Sequence, residues 1–244
     1  MTASGHLTPL EWDSAFLGFP TGRLDGTGLS TGALEQQLRQ ATSQGWHLVY
    51  WFVQPEDAVS LASAQAIGAT LIDDKCTYAR GLDRISAPSA NVRYIAAPEA
   101  TADLMALALQ SGAYSRFRVD PRFAPNVFVR LYTQWIQHAL NGAPDRQVLV
   151  YGTTPTAPSV GLLTLEKHAQ EVRIGLLAVD SQWRQRGIGH QLVEAAAAEA
   201  RAAGYTRLKV TTQAANQPAC HFYERCGFTL IDRQYVFHLW LTPA

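Results

Sequence analysis

Apolar runs separated by polar, glycine-rich and proline-rich breaks predict alternating strands and helices in the first third of the chain. One helix is predicted over residues 31–45, between a Ser/Thr start and a glycine stop, and another over 58–67. The strands predicted around them lie near 22–24, at 47–53 and at 70–82. This βαβαβ-like order over residues 7–82 predicts a small α/β domain at 1–85, and the Ser-, Pro- and Ala-containing segment 84–90 is the predicted linker.

The remaining residues, 91–244, show the pattern of a second and larger domain. The predicted strands are 92–96, 147–151, 159–166, 172–179, 207–213 and a final pair, 229–233 and 235–241. The predicted helices are 101–111, 127–140, an alanine-rich helix that ends at Gly204, and 218–225 with proline in its first turn. The resulting order is βααβββαβαββ.

Within this domain, residues 171–204 carry the most informative pattern, an apolar strand that leads through a glycine loop into a helix. The loop fits the pattern R/Q-x-x-G-x-G/A and reads Arg184-Gln185-Arg186-Gly187-Ile188-Gly189. Glycines let the backbone bend without Cβ clashes, and the first N–H groups of a helix have no partner within it. These donors and the positive end of the helix dipole predict a pyrophosphate site, with Arg184 or Arg186 adding charge-assisted hydrogen bonds.

A glycine loop of this kind has other interpretations. One open interpretation is that the loop is only a tight turn that closes a βα unit. A Rossmann dinucleotide site is disfavoured, because Leu192 stands where the third glycine belongs and the strand 207–213 ends without a carboxylate. A Walker-type site is disfavoured as well, since no Gly-Lys-Ser/Thr follows. The pattern therefore favours a cofactor that has a pyrophosphate but a different remainder.

The loop is one of several matching features that occur in order along the chain. They are Leu177-Ala178-Val179 at the strand end, the loop 184–189, Asn216, Tyr223 and the pair Gly227-Phe228. Together they resemble the Gcn5-related N-acetyltransferase (GNAT) superfamily. The resemblance implies an α/β (α+β) GNAT fold: a mixed, mostly antiparallel sheet with flanking helices, splayed between the strands that end near Val179 and Gln213. It implies acetyl-coenzyme A on the loop, and the N-terminal domain has the look of a truncated copy of this fold.

Longer sequence segments outside the cofactor motif narrow the resemblance to one family of acetyltransferases. They are Leu10-x-Trp12-Asp13-Ser14-Ala15-Phe16-x-Gly18, Ser115-Arg116-Phe117-Arg118, Tyr132-x-Gln134-Trp135-Ile136 and Arg173-Ile174-Gly175-Leu176-Leu177-Ala178. They are similar to the dTDP-fucosamine acetyltransferase family, and the likeness runs over nearly the whole chain. It implies acetylation of the 4-amino group of a dTDP-4-amino-4,6-dideoxyhexose for surface polysaccharide. The segment between Ala178 and Gly189 and the chain end depart from that family.

Composition limits the classes of partner. The chain has 244 residues, of which 47% are hydrophobic, and its 20 basic residues balance 20 acidic ones. Such a neutral chain has no general basic field for nucleic acid or an acidic membrane surface. No apolar run approaches the roughly 18 residues of a membrane span, and the N-terminus does not resemble a secretory signal. The three cysteines, an odd number without C-x-x-C spacing, predict reduced thiols in a cytoplasmic protein.

Acyl transfer from a thioester to an amine needs a polarised carbonyl and a proton for the leaving thiolate. We expect backbone N–H groups near Leu177 and Val179 to supply the first, unless these residues are only a strand end. The resemblance assigns Tyr223 as general acid, and a phenol with a pKa of about 10 suits a thiol with a pKa of about 8.5. A core tyrosine with a satisfied hydroxyl is the alternative. Asn216 is predicted either to cap the following helix or to bind the pantetheine arm.

The remaining site residues are assigned by type and position. Glu166, His168 or a water chain is the candidate base, and the choice stays open. Arg116 and Arg118, with Phe117 between them, are predicted to bind the nucleotide diphosphate and the sugar, unless they form an ordinary surface loop. No histidine spacing suggests a metal site.

The sequence therefore predicts an acetyl-coenzyme A-dependent N-acetyltransferase that acts on a small nucleotide-linked amino sugar. Two alternatives stay open: a GNAT enzyme for another amine, such as a peptide, polyamine or drug, and a non-catalytic acyl-coenzyme A binding module. Whether two chains pair as a homodimer is also open.

Overall fold

The computed structural model describes residues 5–83, 85, 89–97, 99–152, 154, 157–169 and 171–241. The strands are β1 (His6–Pro9), β2 (Thr21–Asp25), β3 (Leu48–Val53), β4 (Leu71–Gly81), β5 (Val92–Ile95), β6 (Arg146–Tyr151), β7 (Gly161–Lys167), β8 (Val172–Val179), β9 (Arg207–Gln213) and β10 (Thr229–Trp240). The helices are α1 (Glu11–Leu17), α2 (Thr31–Ser43), α3 (Ala58–Ala66), α4 (Ala102–Ser111), α5 (Arg116–Val119), α6 (Val127–Leu140), α7 (Ile188–Ala202) and α8 (Gln217–Arg225).

The chain forms two compact units, one of residues 1–76 and 232–244 and the other of residues 77–231. The chain leaves the first unit within β4 and returns to it within β10. These bounds differ from the predicted domains 1–85 and 91–244, because the last strand belongs to the first unit. The two predicted domains stay a prediction, and most of the predicted linker (residues 84 and 86–88) lies outside the described residues.

The first unit has a small mixed sheet. Strand β2 pairs antiparallel with β1 and parallel with β3, and β3 pairs antiparallel with the second half of β10. Leucine and aromatic side chains from β2, β3 and α2, including Leu24, Leu34 and Trp51, form its core. The predicted βαβαβ pattern is present, and it is preceded by β1 and α1.

The second unit contains a sheet in the order β9-β8-β7-β6-β5, with the end of β4 beside β9. The neighbouring strands from β8 to β5 pair antiparallel with one another, whereas β8 and β9 pair parallel. The mixed, mostly antiparallel sheet with flanking helices is thus confirmed. Alanines 195–197 of α7 are buried, and their small side chains let this helix pack closely on the sheet.

Two local predictions differ from the structure. The final strand pair, 229–233 and 235–241, is wrong, because β10 is one continuous strand. Its first residues are exposed and the residues from Val236 to Leu239 are buried, so the change in pattern marks a change of environment and not a turn. The segment after α4 that carries Arg116 and Arg118, interpreted alternatively as an ordinary surface loop, contains a short helix, α5, and Ser115 Oγ accepts a hydrogen bond from its Phe117 N–H.

Over the part of the chain that the structure describes, no helix could cross a membrane. The longest of these helices, α7, has 15 residues, whereas a span needs about 20.

Candidate active site

Strands β8 and β9 separate before they end, as the sequence predicted. They are paired only from Val172 to Ile174 of β8, opposite Leu208 to Val210 of β9. Beyond that point β8 continues to Val179 and β9 to Gln213. The gap between the two strand ends opens beside the N-terminus of α7, because only a short 3-10 helix, Ser181–Trp183, and the loop 184–189 separate β8 from α7.

Two N–H groups near the end of β8 point into this gap. The Asp180 N–H donates to the carbonyl oxygen of Val160, just before β7, at 2.9 Å. Because successive N–H groups of a strand point in opposite directions, those of Leu177 and Val179 point away from β7 and toward the gap. Leu177 and Val179 are half-buried, and Ala178 between them is buried. Their backbone donors are therefore available to a carbonyl group in the gap.

The loop bends sharply at two residues. Gln185 and Gly187 have φ angles of 62° and 75°, in the left-handed region, and α7 begins at Ile188. No side chain caps this helix, because Gly187 is the N-cap residue. Gln185, Arg186 and Gly187 are exposed, whereas Ile188 is buried and anchors the helix in the core. The geometry is that of an open anion site at a helix N-terminus.

Gly189 is required by close packing of a neighbouring helix. A Cβ atom at this position would lie 3.0 Å from Cε2 of Phe222, which is a residue of α8. The contact brings the first turn of α7 against α8. Phe222 was not predicted as a site residue, although its position beside Tyr223 on an amphipathic helix was a signal.

The two arginines of the loop bind protein groups. Arg184 donates from Nε to the Val179 carbonyl oxygen at 3.0 Å and from Nη2 to Oε1 of Gln110, in α4, at 3.2 Å. Arg186 donates to the carbonyl oxygen of Gln182 at 3.3 Å and lies over the Trp183 ring. Arg184 thus ties the loop to the end of β8. Gln110 was not predicted, and no local pattern indicates it.

Tyr223 lies on α8 and is 6% exposed. Its ring packs among Phe222, Phe228 and Tyr78, with ring centroids 5.2 to 6.3 Å away. Burial raises the pKa of Tyr223 well above its usual range, and the nearby Cys226 and Cys220 raise it further. The hydroxyl is therefore protonated throughout the neutral range, as a proton donor must be. Among the described residues, no hydrogen bond is seen at this hydroxyl, and the choice between a general acid and a core tyrosine stays a prediction.

Asn216 caps α8. Its Oδ1 accepts a hydrogen bond from the Ala219 N–H at 3.3 Å. Of the two predicted roles, capping is therefore present in the structure, and contact with a pantetheine arm stays a prediction.

The predicted acceptor residues lie on α5. The Arg116 guanidinium is 4.7 Å from the Phe117 ring centroid, and that of Arg118 is 5.2 Å from the Phe128 ring centroid. Phe117 is buried against Phe123, so its ring is not accessible for stacking on a sugar. Arg118 is exposed and Arg116 half-buried. Exposed Tyr114 is better placed than Phe117 to stack on a ligand.

The candidate bases lie where β7 ends. Glu166 Oε2 and His168 Nε2 are 4.0 Å apart, and both side chains are largely exposed to solvent. Either group can exchange protons with water, so the geometry does not choose between them.

The described residues favour neither a cysteine nucleophile nor a metal site. Burial raises the pKa of Cys226 to about 11, which disfavours its thiolate, although its Sγ lies 3.7 Å from Nδ1 of His190. All three cysteines are free thiols. Among the described residues, no group of three or more His, Cys, Asp or Glu side chains could hold a metal ion.

The first unit has a glycine loop of its own, between β2 and α2, which is closed by side chains. The Gly28 N–H donates to Oδ2 of Asp57 at 2.8 Å, and the Leu29 N–H donates to Oγ of Ser60 at 3.0 Å. A carboxylate of the same unit thus occupies donors that an external anion would need. By contrast, Arg186 and Gly187 of the second unit are exposed at the start of α7.

Comparison with known proteins agrees with this geometry. Residues 119–228 match the Acetyltransferase (GNAT) family. The chain is 29% identical over 236 residues to a dTDP-fucosamine acetyltransferase of Escherichia coli O6:H1, covering 96% of this chain and 98% of that protein. It is 24% identical over 143 residues to the spore coat polysaccharide biosynthesis protein SpsD of Bacillus subtilis, covering 59% of this chain and 48% of that protein.

Solved structures support the same fold. A GCN5-related N-acetyltransferase from Sphaerobacter thermophilus superposes with a TM-score of 0.64 at 16% identity, covering 99% of this chain and 78% of that one. The chain carries a GNAT acetyltransferase domain and is an acyltransferase of the GNAT type.

Proposed function

We propose that the protein transfers the acetyl group of acetyl-coenzyme A to the 4-amino group of a dTDP-linked 4-amino-4,6-dideoxyhexose, in the cytoplasm, for surface polysaccharide. The observation that carries the proposal is the similarity to dTDP-fucosamine acetyltransferase along 96% of the chain, which includes the first unit. A relative that shared only the coenzyme site would not match over both units.

The coenzyme part of the proposal rests on the loop 184–189 and the gap beside it. The exposed loop and the uncapped start of α7 offer N–H donors to a pyrophosphate. The gap between β8 and β9 accepts the extended pantetheine arm, with the thioester carbonyl at the N–H groups of Leu177 and Val179. A loop whose N–H donors are occupied by side chains, as in the first unit, could not bind a pyrophosphate in this way.

The chemistry is direct attack in a ternary complex. The neutral amine adds to the thioester carbon, the C–N bond forms and the C–S bond breaks, and the ammonium loses one proton to Glu166, His168 or water. Tyr223 donates a proton to the departing thiolate, and its phenolate is then reprotonated by solvent. Donors fixed toward the carbonyl oxygen stabilise its developing charge, typically by about 10²–10³ in rate.

For the acceptor, the proposal assigns the diphosphate to Arg116 and Arg118. Guanidinium groups pair well with phosphate oxygens, and the exposed Tyr114 near them offers a ring for stacking. Phe117 supports this segment from within the core.

A thiol-release assay tests the proposal. Purified protein is mixed with acetyl-coenzyme A and a dTDP-4-amino-4,6-dideoxyhexose, and free thiol is followed with a dye. We expect rapid, acceptor-dependent release and an N-acetylated sugar in the product. Matched reactions with a 3-amino positional isomer, a polyamine and a peptide amine distinguish the acceptor classes. Release with none of these amines would contradict the enzyme and leave a coenzyme-binding module.

A further inference from the structure

Strand β8 contains a β-bulge opposite Thr164. In one part of the ladder Gly161 pairs with Val179 and Leu163 with Leu177, but beyond it Leu165 pairs with Ile174. Gly175 and Leu176 therefore both oppose Thr164. The extra residue lies in β8, just before the N–H groups that point into the gap.

The bulge determines which N–H groups face the gap. Directions alternate along a strand, so one inserted residue reverses the alternation for everything that follows it. Without the bulge, the N–H groups of Leu177 and Val179 would point to β7 and that of Ala178 to the gap. Donors for an acyl carbonyl at Leu177 and Val179 thus depend on the extra residue.

The side chain of Thr164 is bonded to this bulge. The Thr164 hydroxyl accepts a hydrogen bond from the Leu176 N–H at 2.8 Å, and Thr164 is 3% exposed. A bulge leaves a backbone donor outside the regular ladder, and the hydroxyl provides its acceptor. The fit is close, since a Cβ atom on Gly175 would lie 2.8 Å from the threonine oxygen.

We propose that Thr164 is a positioning residue for acyl transfer, whose hydroxyl fixes the bulge and thereby aims the Leu177 and Val179 N–H groups at the thioester carbonyl. The inference rests on the proposed function, because these donors act only when a thioester lies in the gap. Thr164 itself does not touch the reacting atoms. It is the polar residue within the otherwise apolar run of β7, Gly161 to Leu165.

Two variants separate the hydroxyl from the shape of the side chain. Thr164→Val keeps the shape and removes the acceptor, and Thr164→Ser keeps the acceptor and removes a methyl group. We expect the valine variant to lose about 10²-fold in kcat, as for loss of an oxyanion donor, with unchanged affinity for free coenzyme A. The serine variant restores kcat. The preference for binding acetyl-coenzyme A over free coenzyme A also falls in the valine variant alone.

A ligand-free measurement checks the structural step. Hydrogen exchange at the Leu176 amide should be faster in the valine variant than in the serine variant. Circular dichroism checks that both variants are folded. Equal kcat in wild type and Thr164→Val would overturn the inference, as would a joint loss of kcat and coenzyme affinity that serine does not restore. Failure of the proposed function itself looks different, because wild type would then release no thiol.

Discussion

The guanidinium group of Arg184 lies across the end of strand β8, where its Nε donates to the carbonyl oxygen of Val179 at 3.0 Å. A second bond, to Gln110, extends the contact to helix α4. The first arginine of the glycine loop therefore fixes the loop relative to the strand end, whereas the sequence predicted it as a phosphate ligand. Its effect on the coenzyme is proposed to act through the position of the loop amides.

Replacing Arg184 by alanine should weaken coenzyme A binding by about tenfold, because hydrogen bonds to a charged group contribute about 1.5–3 kcal/mol and 1.4 kcal/mol is tenfold. Isothermal titration calorimetry measures the change. The matched control is Gln110→Ala, which removes only one of the two bonds and should give a smaller effect in the same direction. Unchanged affinity in Arg184→Ala would show that the loop keeps its position without this contact.

Replacing Tyr223 by phenylalanine should lower kcat by about 10²–10⁴-fold, the range for loss of a general acid, with coenzyme affinity nearly intact. Steady-state kinetics and calorimetry measure the two quantities separately. Tyr94→Phe is the control, since Tyr94 lies in β5, an edge strand, and its hydroxyl donates to Glu199 of α7. An active Tyr223→Phe variant would reject the acid role.

The pH profile gives an independent check on Tyr223. A general acid is lost as the pH rises through its pKa, and burial raises the pKa of Tyr223 above the usual value of about 10. The wild-type rate should therefore show no decline from this group below about pH 10. An alkaline decline near neutral pH that vanishes in Tyr223→Phe would contradict the raised pKa.

Replacing Arg118 by alanine should raise the KM for the nucleotide sugar about tenfold, because a charge-assisted contact to phosphate is lost. The same variant should act normally on the free 4-amino sugar, which has no diphosphate. Arg122→Ala, a change at another exposed arginine just beyond α5, is the control. An equal effect on both acceptors would show that Arg118 does not bind the diphosphate.

The closed glycine loop of the first unit predicts one coenzyme per chain. Asp57 holds the Gly28 N–H and caps α3 through Ser60. Burial alone would raise the pKa of Asp57, but these hydrogen bonds outweigh it and the pKa is lowered. Asp57→Asn should therefore destabilise the protein by about 1 kcal/mol at neutral pH.

The stability contributed by the Asp57 carboxylate is present above its unfolded pKa of about 3.9 and is lost as the pH falls through the lower folded value. The difference between wild type and Asp57→Asn in urea unfolding should thus shrink toward acid pH. Titration calorimetry of the wild type should give one coenzyme site per chain. A second site would show that the loop of the first unit opens.

Local signals in the sequence predicted the longer helices, most strands and the glycine loop, because glycines, caps and apolar periodicity act over a few residues; the short helices α1 and α5 were not predicted. They also placed Asn216 just before the helix that carries Tyr223. The bonding of Arg184 to Val179 and Gln110 was not predictable, since it depends on how α4 packs near the strand end. The bulge at Gly175 and Leu176 was also missed, because one extra residue leaves no fixed pattern in an apolar run.

The continuous strand β10 illustrates a different limit. Its exposed first half and buried second half, which pairs with β3, produced two apparent strands in the pattern. Periodicity reports the surroundings of a residue, so a strand that passes from one environment to another changes its pattern without a turn.

The amides at the start of α7 are proposed to bind the pyrophosphate of the coenzyme. Hydrogen exchange of the free protein and of the protein with millimolar coenzyme A tests this proposal most directly. We predict strong protection at residues 186–190 and at Leu177 and Val179, with no change at Gly28 and Leu29 of the first unit. Unchanged exchange at 186–190 with coenzyme bound elsewhere, or with none bound, would contradict the account.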